Sequence, residues 1–379
     1  MTLPGRDRSC AGSDFRAGTG PGWKTAKRKI VGAGRGGVTA IVLITCQMGF
    51  QDLLAREVAE RGGVEQARGP GWVRVPETAV VTPDWVAGLA FAHLALMAPV
   101  EVEGESVNGL AQKIADYFLQ SLRGERIEAA WPCVWQGPAE VVGLGRRISA
   151  VETACGELFR KRLARVAKLA VLDLPAGRGL RRGLFVYFTD FGRAVVAREA
   201  FAHGPHRMAD DPQAPSRSYL KIEEAYTVLG VTPRDGETAV DLGAAPGGWS
   251  YSAAQRGARV IAIDNGPLKG GALGHARIDH RREDAFRFQP APGEVFDWML
   301  CDLVEEPHHV LRQLVAQWLE HGWCRRFVIN LKFGRVDAIE LLRELRAPDS
   351  PFTRCAPGTQ VLHLYHDREE FTVVGEVGR

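Results

Sequence analysis

Residues 240–249 read Val-Asp-Leu-Gly-Ala-Ala-Pro-Gly-Gly-Trp, a short apolar strand that runs through a glycine-rich turn into the start of a helix. No other stretch narrows the possible folds so much. Gly243, Gly247 and Gly248 carry no Cβ, so the backbone can approach a small ligand closely. Asp241 can accept hydrogen bonds from an ammonium, and the unpaired N–H groups of the following helix favour a carboxylate. S-adenosylmethionine presents both groups at its methionine end, so the segment reads as the cofactor loop of a methyltransferase. The dinucleotide alternative needs glycines spaced G-x-G-x-x-G for a pyrophosphate, and that spacing fails where Ala245 and Pro246 stand.

Acidic residues recur at the ends of the strands that follow. Residues 259–263 form an apolar strand ending in Asp264, about 20 residues beyond the turn, where a carboxylate can take both ribose hydroxyls of a nucleoside. Asp284 ends the next segment, and the strand 296–300 leads to Asp302. One such acid could be a helix cap. Three in register at the carboxyl ends of an open α/β sheet face one crevice. Helix and strand patterns alternate from residue 218 to the C-terminus, which predicts a parallel, doubly wound, Rossmann-like sheet.

A second constellation shares this half. Ser218-Tyr219-Leu220-Lys221 opens the helix before the cofactor strand, the strand 327–331 ends at Lys332, and Glu370 begins a final strand. With Asp302 these ends bring two lysines and two acids to one point. A ribose 2′-hydroxyl is a weak acid and a poor nucleophile, so methyl transfer to it benefits from a base. Lysine is a base only when neutral, and burial beside a second cation such as Lys221 is expected to lower the pKa of Lys332. Asp302 and Glu370 pull the other way and would hold the lysines in position. The competing reading is two structural ion pairs in a sheet.

At 379 residues the chain is long enough for two to three domains of ~100–200 residues, with ordinary apolar and charged fractions. Residues 38–46 read as a β-branched strand, and 51–61 as an amphipathic helix with Leu53, Leu54, Val58 and Ala59 on one side. Residues 184–188 and 193–197 flank Thr189-Asp190-Phe191-Gly192 as a hairpin. Residues 204–217 hold Pro205, Pro212 and Pro215 and read as a linker. The expected division is therefore a basic, disordered leader 1–37, an α+β region 38–203, the linker, and a methyltransferase domain 218–379.

The seven cysteines show no paired short spacing, so neither a zinc site nor a disulfide framework is expected, and a reducing cytoplasm fits. His308, His309, His363 and His366 form no ligand set, and no metal is expected. The most apolar stretch, 85–100, contains His93 and falls short of the ~20 residues that span a bilayer, so it reads as core. The leader carries eight basic side chains against two acidic ones, and removing that excess of six turns the formal +3 of the chain into −3. Any case for nucleic acid then rests on local clusters: Arg146 and Arg147; Arg160, Lys161, Arg162, Arg165 and Lys168; Arg178, Arg181 and Arg182. Each could equally be a solvated face.

Lys221, Asp302, Lys332 and Glu370, with the 241–249 loop, resemble the lysine-aspartate-lysine-glutamate tetrad of Rossmann-fold RNA ribose 2′-O-methyltransferases. Residues 216–225 (Ser-Arg-Ser-Tyr-Leu-Lys-Ile-Glu-Glu-Ala), 264–267 (Asp-Asn-Gly-Pro) and 364–370 (Leu-Tyr-His-Asp-Arg-Glu-Glu) more specifically resemble the ribosomal RNA large subunit methyltransferase M family. The resemblance covers residues 38–374. It implies a ferredoxin-like plus THUMP RNA-binding region in the N-terminal half, with the clusters of 146–182 on the RNA. It implies methylation of one cytidine ribose of 23S rRNA near the peptidyl-transferase centre by the C-terminal half. It also implies that Ser218, Gly243, Ala245, Pro246, Gly247, Gly248, Asp264, Asp284 and Asp302 line S-adenosylmethionine, with Lys332 as proton acceptor.

Rival chemistries fit less well. An amino-directed base methyltransferase would want a proline-aromatic motif after Asp302, where Leu303-Val304-Glu305 stands. A base-carbon methyltransferase needs a thiol, but alternation points Cys301 to the face opposite Asp302. A non-catalytic RNA-binding or ribosome-assembly factor with a retained cofactor fold is the alternative of another class, and a 2′-O-methyltransferase acting on another RNA is the alternative within it. A cytoplasmic monomer acting on 23S rRNA is expected, and the sequence carries no code for a particular nucleotide.

Overall fold

The computed structural model describes residues 41–122, 124–174 and 177–378. The expected leader, and the first residues of the expected strand 38–46, lie outside the described residues. The described residues cluster as one compact unit built on two sheets.

The N-terminal sheet contains β1 (Ile41–Thr45), β2 (Ala67–Gly69), β3 (Trp72–Pro76), β4 (Leu94–Met97), β5 (Val100–Glu103), β6 (Trp131–Gln136), β7 (Ala170–Val171), β8 (Gly179–Phe188) and β9 (Arg193–Ala202). Its order is β2-β3-β1-β4-β9-β8-β6-β7, and β5 also pairs with β9. The hairpin around Thr189–Gly192 is present, but its strands reach ten residues each. A register irregularity between Arg182 and Phe185 breaks the alternation that would have shown their full length in the sequence. The helices Val107–Leu122 and Leu144–Arg162 bury Phe118 and Phe159 against Trp131 of β6, with ring centroids of Phe118 and Trp131 4.8 Å apart. In the helix Gln51–Glu60 the buried residues are Leu54, Ala55, Glu57 and Val58. Ala59 is exposed, contrary to the apolar pattern, and a carboxylate is buried in its stead for a reason given below.

The C-terminal sheet contains β10 (Thr238–Leu242), β11 (Arg259–Ile263), β12 (Ile278–Arg281), β13 (Phe296–Cys301), β14 (Cys324–Lys332), β15 (Gln360–Leu362) and β16 (Glu370–Glu376), in the order β12-β11-β10-β13-β14-β16-β15. Strands β10 to β14 are parallel, and the strand order reverses direction between β10 and β13. The sheet is not wholly parallel as the alternation predicts, because β16 runs antiparallel to both neighbours. The connector 363–369 is too short for the crossover that parallel pairing requires.

Side-chain alternation divides this sheet into two environments. One face carries Ala239, Trp298, Leu300, Val328 and Val374 against Ile222, Ala225 and Tyr226 of the helix Tyr219–Leu229. The other carries Val240, Leu242, Met299, Cys301, Phe327, Ile329, Leu331, Phe371 and Val373, in one continuous core with Val42, Ile44, Leu54, Val58 and Phe91 of the N-terminal half. Phe91 meets Phe371 and Phe333 at centroid separations of 5.1 and 5.9 Å. The segment 204–217 therefore connects two sheets that share apolar packing.

Candidate active site

The same alternation builds the site. Asp302 follows β13, Lys332 ends β14 and Glu370 starts β16, all in phase with the face covered by the helix Tyr219–Leu229, which contributes Lys221. The antiparallel sense of β16 is what places its first residue at the carboxyl edge: Glu370 lies directly across from Lys332 in the ladder. Cys301, one residue from Asp302, points into the opposite core, where burial first of all pushes its thiol up to about 12.

The four groups form a chain of ion pairs. Lys221 Nζ lies 2.5 Å from Glu370 Oε1, Lys332 Nζ lies 3.4 Å from Glu370 Oε2, and Lys332 Nζ lies 2.5 Å from Asp302 Oδ1. Burial alone would push Glu370 up, but the ammoniums of Lys221 and Lys332 outweigh it and hold the carboxyl below its ordinary value. Burial likewise disfavours the Lys332 ammonium, yet Asp302 and Glu370 outweigh it and raise Lys332 above its ordinary value. This corrects the expectation of a depressed lysine. Lys332 touches two carboxylates and pairs with them directly, whereas Lys221 is engaged by the far oxygen of Glu370.

Lys221, Lys332 and Glu370 open onto a cleft of about 1290 Å³ that Ser218 also lines, whereas Asp302 and the loop 243–248 are not part of its lining. Gln47, just after β1, also reaches it, as do Arg207, Arg217, Arg335, Tyr365 and Arg368. The Arg207 guanidinium lies 4.8 Å from the centre of the Tyr365 ring and donates to its hydroxyl. Arg217, Tyr365 and Arg368 belong to the segments that carry the family resemblance, but the sequence assigns none of these residues a role because they sit in connectors, where periodicity is silent. Glu224 fastens two of those connectors together, accepting from the backbone N–H groups of His206, Tyr365 and His366 at 2.7, 2.8 and 3.1 Å.

Around the loop 243–248 Ser218 and Asp264 lie against the glycine turn, while Asp284, among the described residues, makes no hydrogen bond to it. Gly243 and Ala244 donate their N–H groups to Ile263 O, at 2.9 and 3.2 Å. Asp264 accepts from Ala245 N at 3.0 Å and Gly266 N at 2.7 Å, so its carboxylate is fixed at the end of β11. Gly243 and Gly247 have φ of +82° and +107°, which only glycine adopts without strain. A Cβ on Gly247 would lie 2.5 Å from Ala272 Cβ, and one on Gly248 would lie 2.9 Å from Ser216 Oγ and 3.1 Å from Ser218 Oγ. These glycines are thus required by the packing of the loop on the protein itself, which the sequence reading had credited to the ligand. Asp284 stands three residues past β12, half-exposed, capping a turn through Phe286 N.

Asp241 is 1% exposed. Its Oδ2 accepts from Ser250 Oγ at 2.6 Å, while Oδ1 is buried without a partner. Burial pushes this carboxyl up to about 7, against the bond from Ser250, and Asp302 and Asp264 add to the rise. A buried acceptor lacking a donor beside a glycine turn fits an incoming ammonium, as the sequence suggested.

The four histidines of the sequence reading are hydrogen-bonded or packed. His308 Nδ1 meets Glu344, the His309 ring packs on Phe286, His363 Nε2 donates to Arg368 O at 2.7 Å, and His366 Nε2 accepts from Met208 N at 2.9 Å. Among the described residues no group of three or more His, Cys, Asp or Glu is placed to hold a metal, and no helix is long and apolar enough to cross a membrane.

The basic clusters divide. Arg178 donates to Ala87 O at 2.6 Å and to Gln360 across the two sheets, and burial lowers it to about 10. Arg182 pairs with Glu125 and Glu199, Arg162 with Asp116, and Arg147 donates to Phe191 O. Arg160, Lys161, Arg165 and Lys168 stand exposed at and beyond the end of the helix Leu144–Arg162.

A parallel sheet with this strand reversal, an antiparallel β16 and a glycine loop after β10 defines a mixed α/β methyltransferase fold, and the family model of FtsJ-like methyltransferases matches residues 214–325. The chain is 33% identical over 358 residues to ribosomal RNA large subunit methyltransferase M of Laribacter hongkongensis (strain HLHK9), spanning 89% of this chain and 96% of that one. It is 36% identical over 362 residues to the same-named protein of Alkalilimnicola ehrlichii, spanning 88% and 93%. With that of Halorhodospira halophila it shares 45% identity over 182 residues, spanning 47% and 52%. The chain belongs to the ribosomal RNA large subunit methyltransferase M family.

Proposed function

We propose that this chain transfers the methyl group of S-adenosylmethionine to the 2′-hydroxyl of one ribose, a cytidine, in 23S ribosomal RNA. The observation that carries this reading is the Lys221–Glu370–Lys332–Asp302 chain at the carboxyl edge of the sheet, whose Lys221, Lys332 and Glu370 line a cleft that can admit a nucleotide. The name shared by the relatives supports large-subunit rRNA as the substrate.

When bound, the cofactor supplies an electrophilic methyl on a positively charged sulfur. Lys332 Nζ takes the hydroxyl proton as the oxygen forms its bond to the methyl carbon and the carbon–sulfur bond breaks. Asp302 and Glu370 hold the amine in place, and Lys221 holds Glu370. Lys332 must be neutral to act, and the resting ion pairs oppose this; a second positive charge brought close to Nζ favours the neutral form. Asp241 would accept from the cofactor ammonium and Asp264 from its ribose. Ser218, Gly243, Ala245, Pro246, Gly247, Gly248, Asp284 and Asp302 complete the wall. In the same reading, residues 38–203 are a ferredoxin-like plus THUMP RNA-binding region, 204–217 a linker and 218–379 the methyltransferase domain, in a cytoplasmic monomer.

The test is calorimetric titration with S-adenosylmethionine, then transfer of labelled methyl to naked 23S rRNA, followed by nuclease mapping of the alkali-resistant linkage. Label on one ribose is expected. Label on a base overturns the chemistry, and cofactor and RNA binding without transfer to naked rRNA or to large-subunit assembly intermediates leaves an assembly factor.

A further inference from the structure

We propose that Asn330 is a positioning residue for Lys332, its side-chain oxygen fixing one N–H of the amine so that, with Asp302, it sets the direction in which Nζ presents its lone pair. This rests on the reading of Lys332 as the base.

Asn330 lies two residues before Lys332 in β14, so alternation puts both on one face, and Asn330 is 1% exposed. Its Oδ1 accepts from Lys332 Nζ at 3.1 Å. Asp367 and Thr372 stand behind the amide. The Thr372 hydroxyl donates to Asp367 at 3.1 and 3.0 Å, and Asn330 Nδ2 faces Asp367 Oδ1 at 3.4 Å and Thr372 Oγ1 at 3.3 Å. A flipped amide would turn its N–H groups on the Lys332 ammonium, which can only donate, and would take the amide oxygen away from it. Burial raises Asp367 well above the ordinary carboxyl value, so the ammonium side decides the orientation. Asp367 is itself 1% exposed and anchored by Leu364 N at 2.8 Å.

Three acceptors therefore surround Lys332 Nζ: Asp302 at 2.5 Å, Asn330 at 3.1 Å and Glu370 at 3.4 Å. A neutral amine keeps two N–H groups and gains a lone pair. The longest contact, to a Glu370 already held by Lys221 at 2.5 Å, is the one released, which leaves the lone pair on the Glu370 side of Nζ, where Lys332 and Glu370 both line the cleft. A third carboxylate in place of Asn330 would hold the N–H equally well but would favour the ammonium, which a base must lose. The charged and titratable groups around Lys332 are Asp302 and Cys301 after and within β13, Glu370 of β16, Asp367 of the preceding connector and Lys221 of the covering helix.

The test uses the full chain with ¹⁵N-labelled lysine and no added cofactor, following the Lys332 amine by NMR, with Lys332→Arg as the assignment control. Asn330→Asp is expected to raise the Lys332 midpoint by about one unit, and Asn330→Ala to lower it. The rising limb of kcat against pH should move in the same directions, costing Asn330→Asp about tenfold in kcat near neutrality, with cofactor Kd within about twofold. If Asn330→Asp does not fold, Asn330→Ala and Asn330→Ser decide. Unmoved midpoints and limbs in a folded variant, with kcat falling only as the melting temperature falls, would mean a merely structural asparagine and overturn the proposal. Wild-type turnover by Lys332→Ala would instead sink the lysine-base reading. An inactive Lys332→Ala beside unmoved Asn330 variants sinks this inference alone.

Discussion

Two buried polar clusters lie on either side of the C-terminal sheet, and they satisfy their charges differently. At the carboxyl edge, Lys221, Glu370, Lys332 and Asp302 answer one another with side-chain charge, and the first three open onto a cleft. At the seam between the sheets, Glu57 is 1% exposed and accepts from Ala90 N at 2.8 Å, Phe91 N at 3.1 Å and Arg346 at 2.7 Å. There, His93 meets His363 O at 3.0 Å, His203 meets Val86 O at 2.8 Å, and His363 N donates to Ala90 O at 2.8 Å. Backbone groups cannot move without unfolding, so the seam holds two halves together. Side-chain charges can trade a proton, so the edge can do chemistry.

The sharpest way to break this comparison is to remove one group from each cluster. Lys332→Ala is expected to lose about 10²–10⁴-fold in kcat, the range a positioned general base contributes, while calorimetry finds cofactor affinity within a few-fold of the parent. Turnover at the parental rate would make the edge a structural ion-pair network like the seam. Glu57→Ala should do the reverse. It strands Arg346 and two buried N–H groups, costing about 3 kcal/mol in a urea melt, with kcat of the folded protein little changed. A stability loss under ~0.5 kcal/mol would show that water or Glu60 replaces the carboxylate.

Acid separates the clusters by a smaller effect. Burial, ahead of all other causes, lowers His93 to about 4 and His203 and His363 to about 3. Their folded values lie below the 6.5 of the unfolded chain, so between these limits the unfolded state binds more protons and stability falls as pH drops. Their contribution to the pH dependence fades only about one pH unit above 6.5. The loss should reach about 2 kcal/mol in total at pH 6 relative to pH 8. Glu370, lowered by its lysines, gives way only below the ordinary carboxylate value of 4.5, and the raised Lys332 only in strong alkali. Burial raises the Asp241 and Glu224 carboxyls to about 7, and these oppose the trend. The histidine part is therefore read as the difference in urea stability between the parent and His93→Gln, His203→Gln and His363→Gln variants. A difference that stays flat from pH 8 to pH 5 would contradict a neutral, sealed seam.

The edge was legible in the sequence and the seam was not, for a physical reason. Asp302, Lys332 and Glu370 sit at strand boundaries, where a charge interrupts an apolar run and advertises itself. Lys221 was found because it opens the helix before the cofactor strand. The sense of β16 was not legible, since period-2 alternation carries no direction, yet the convergence survived because the antiparallel strand presents its first residue. Glu57 sits on the apolar side of an amphipathic pattern, where a carboxylate reads as an exposed turn of the helix; its partner Arg346 is 289 residues away. Asn330 was hidden within the strand that gave away Lys332, because an amide inside an apolar run shows no charge.

The smallest effect concerns a third region, where cations are neither sealed nor answered in a closed network. Arg160, Lys161 and Arg165 stand exposed near the end of the helix Leu144–Arg162, whereas Arg182 of the neighbouring basic cluster is engaged by Glu125 and Glu199. If the N-terminal half holds RNA, replacing the three exposed residues by alanine should leave stability within about 0.5 kcal/mol. It should weaken RNA binding up to about tenfold at low salt and flatten the dependence of log K on log salt by roughly 0.7 for each phosphate no longer neutralised. Arg182→Ala is the matched control, since its guanidinium is already paired inside the protein and its removal should change the slope little. Filter binding over a salt series reads both. Equal slopes for the triple variant and the parent would assign these residues to a solvated face and move the RNA-binding surface to the arginines around the cleft.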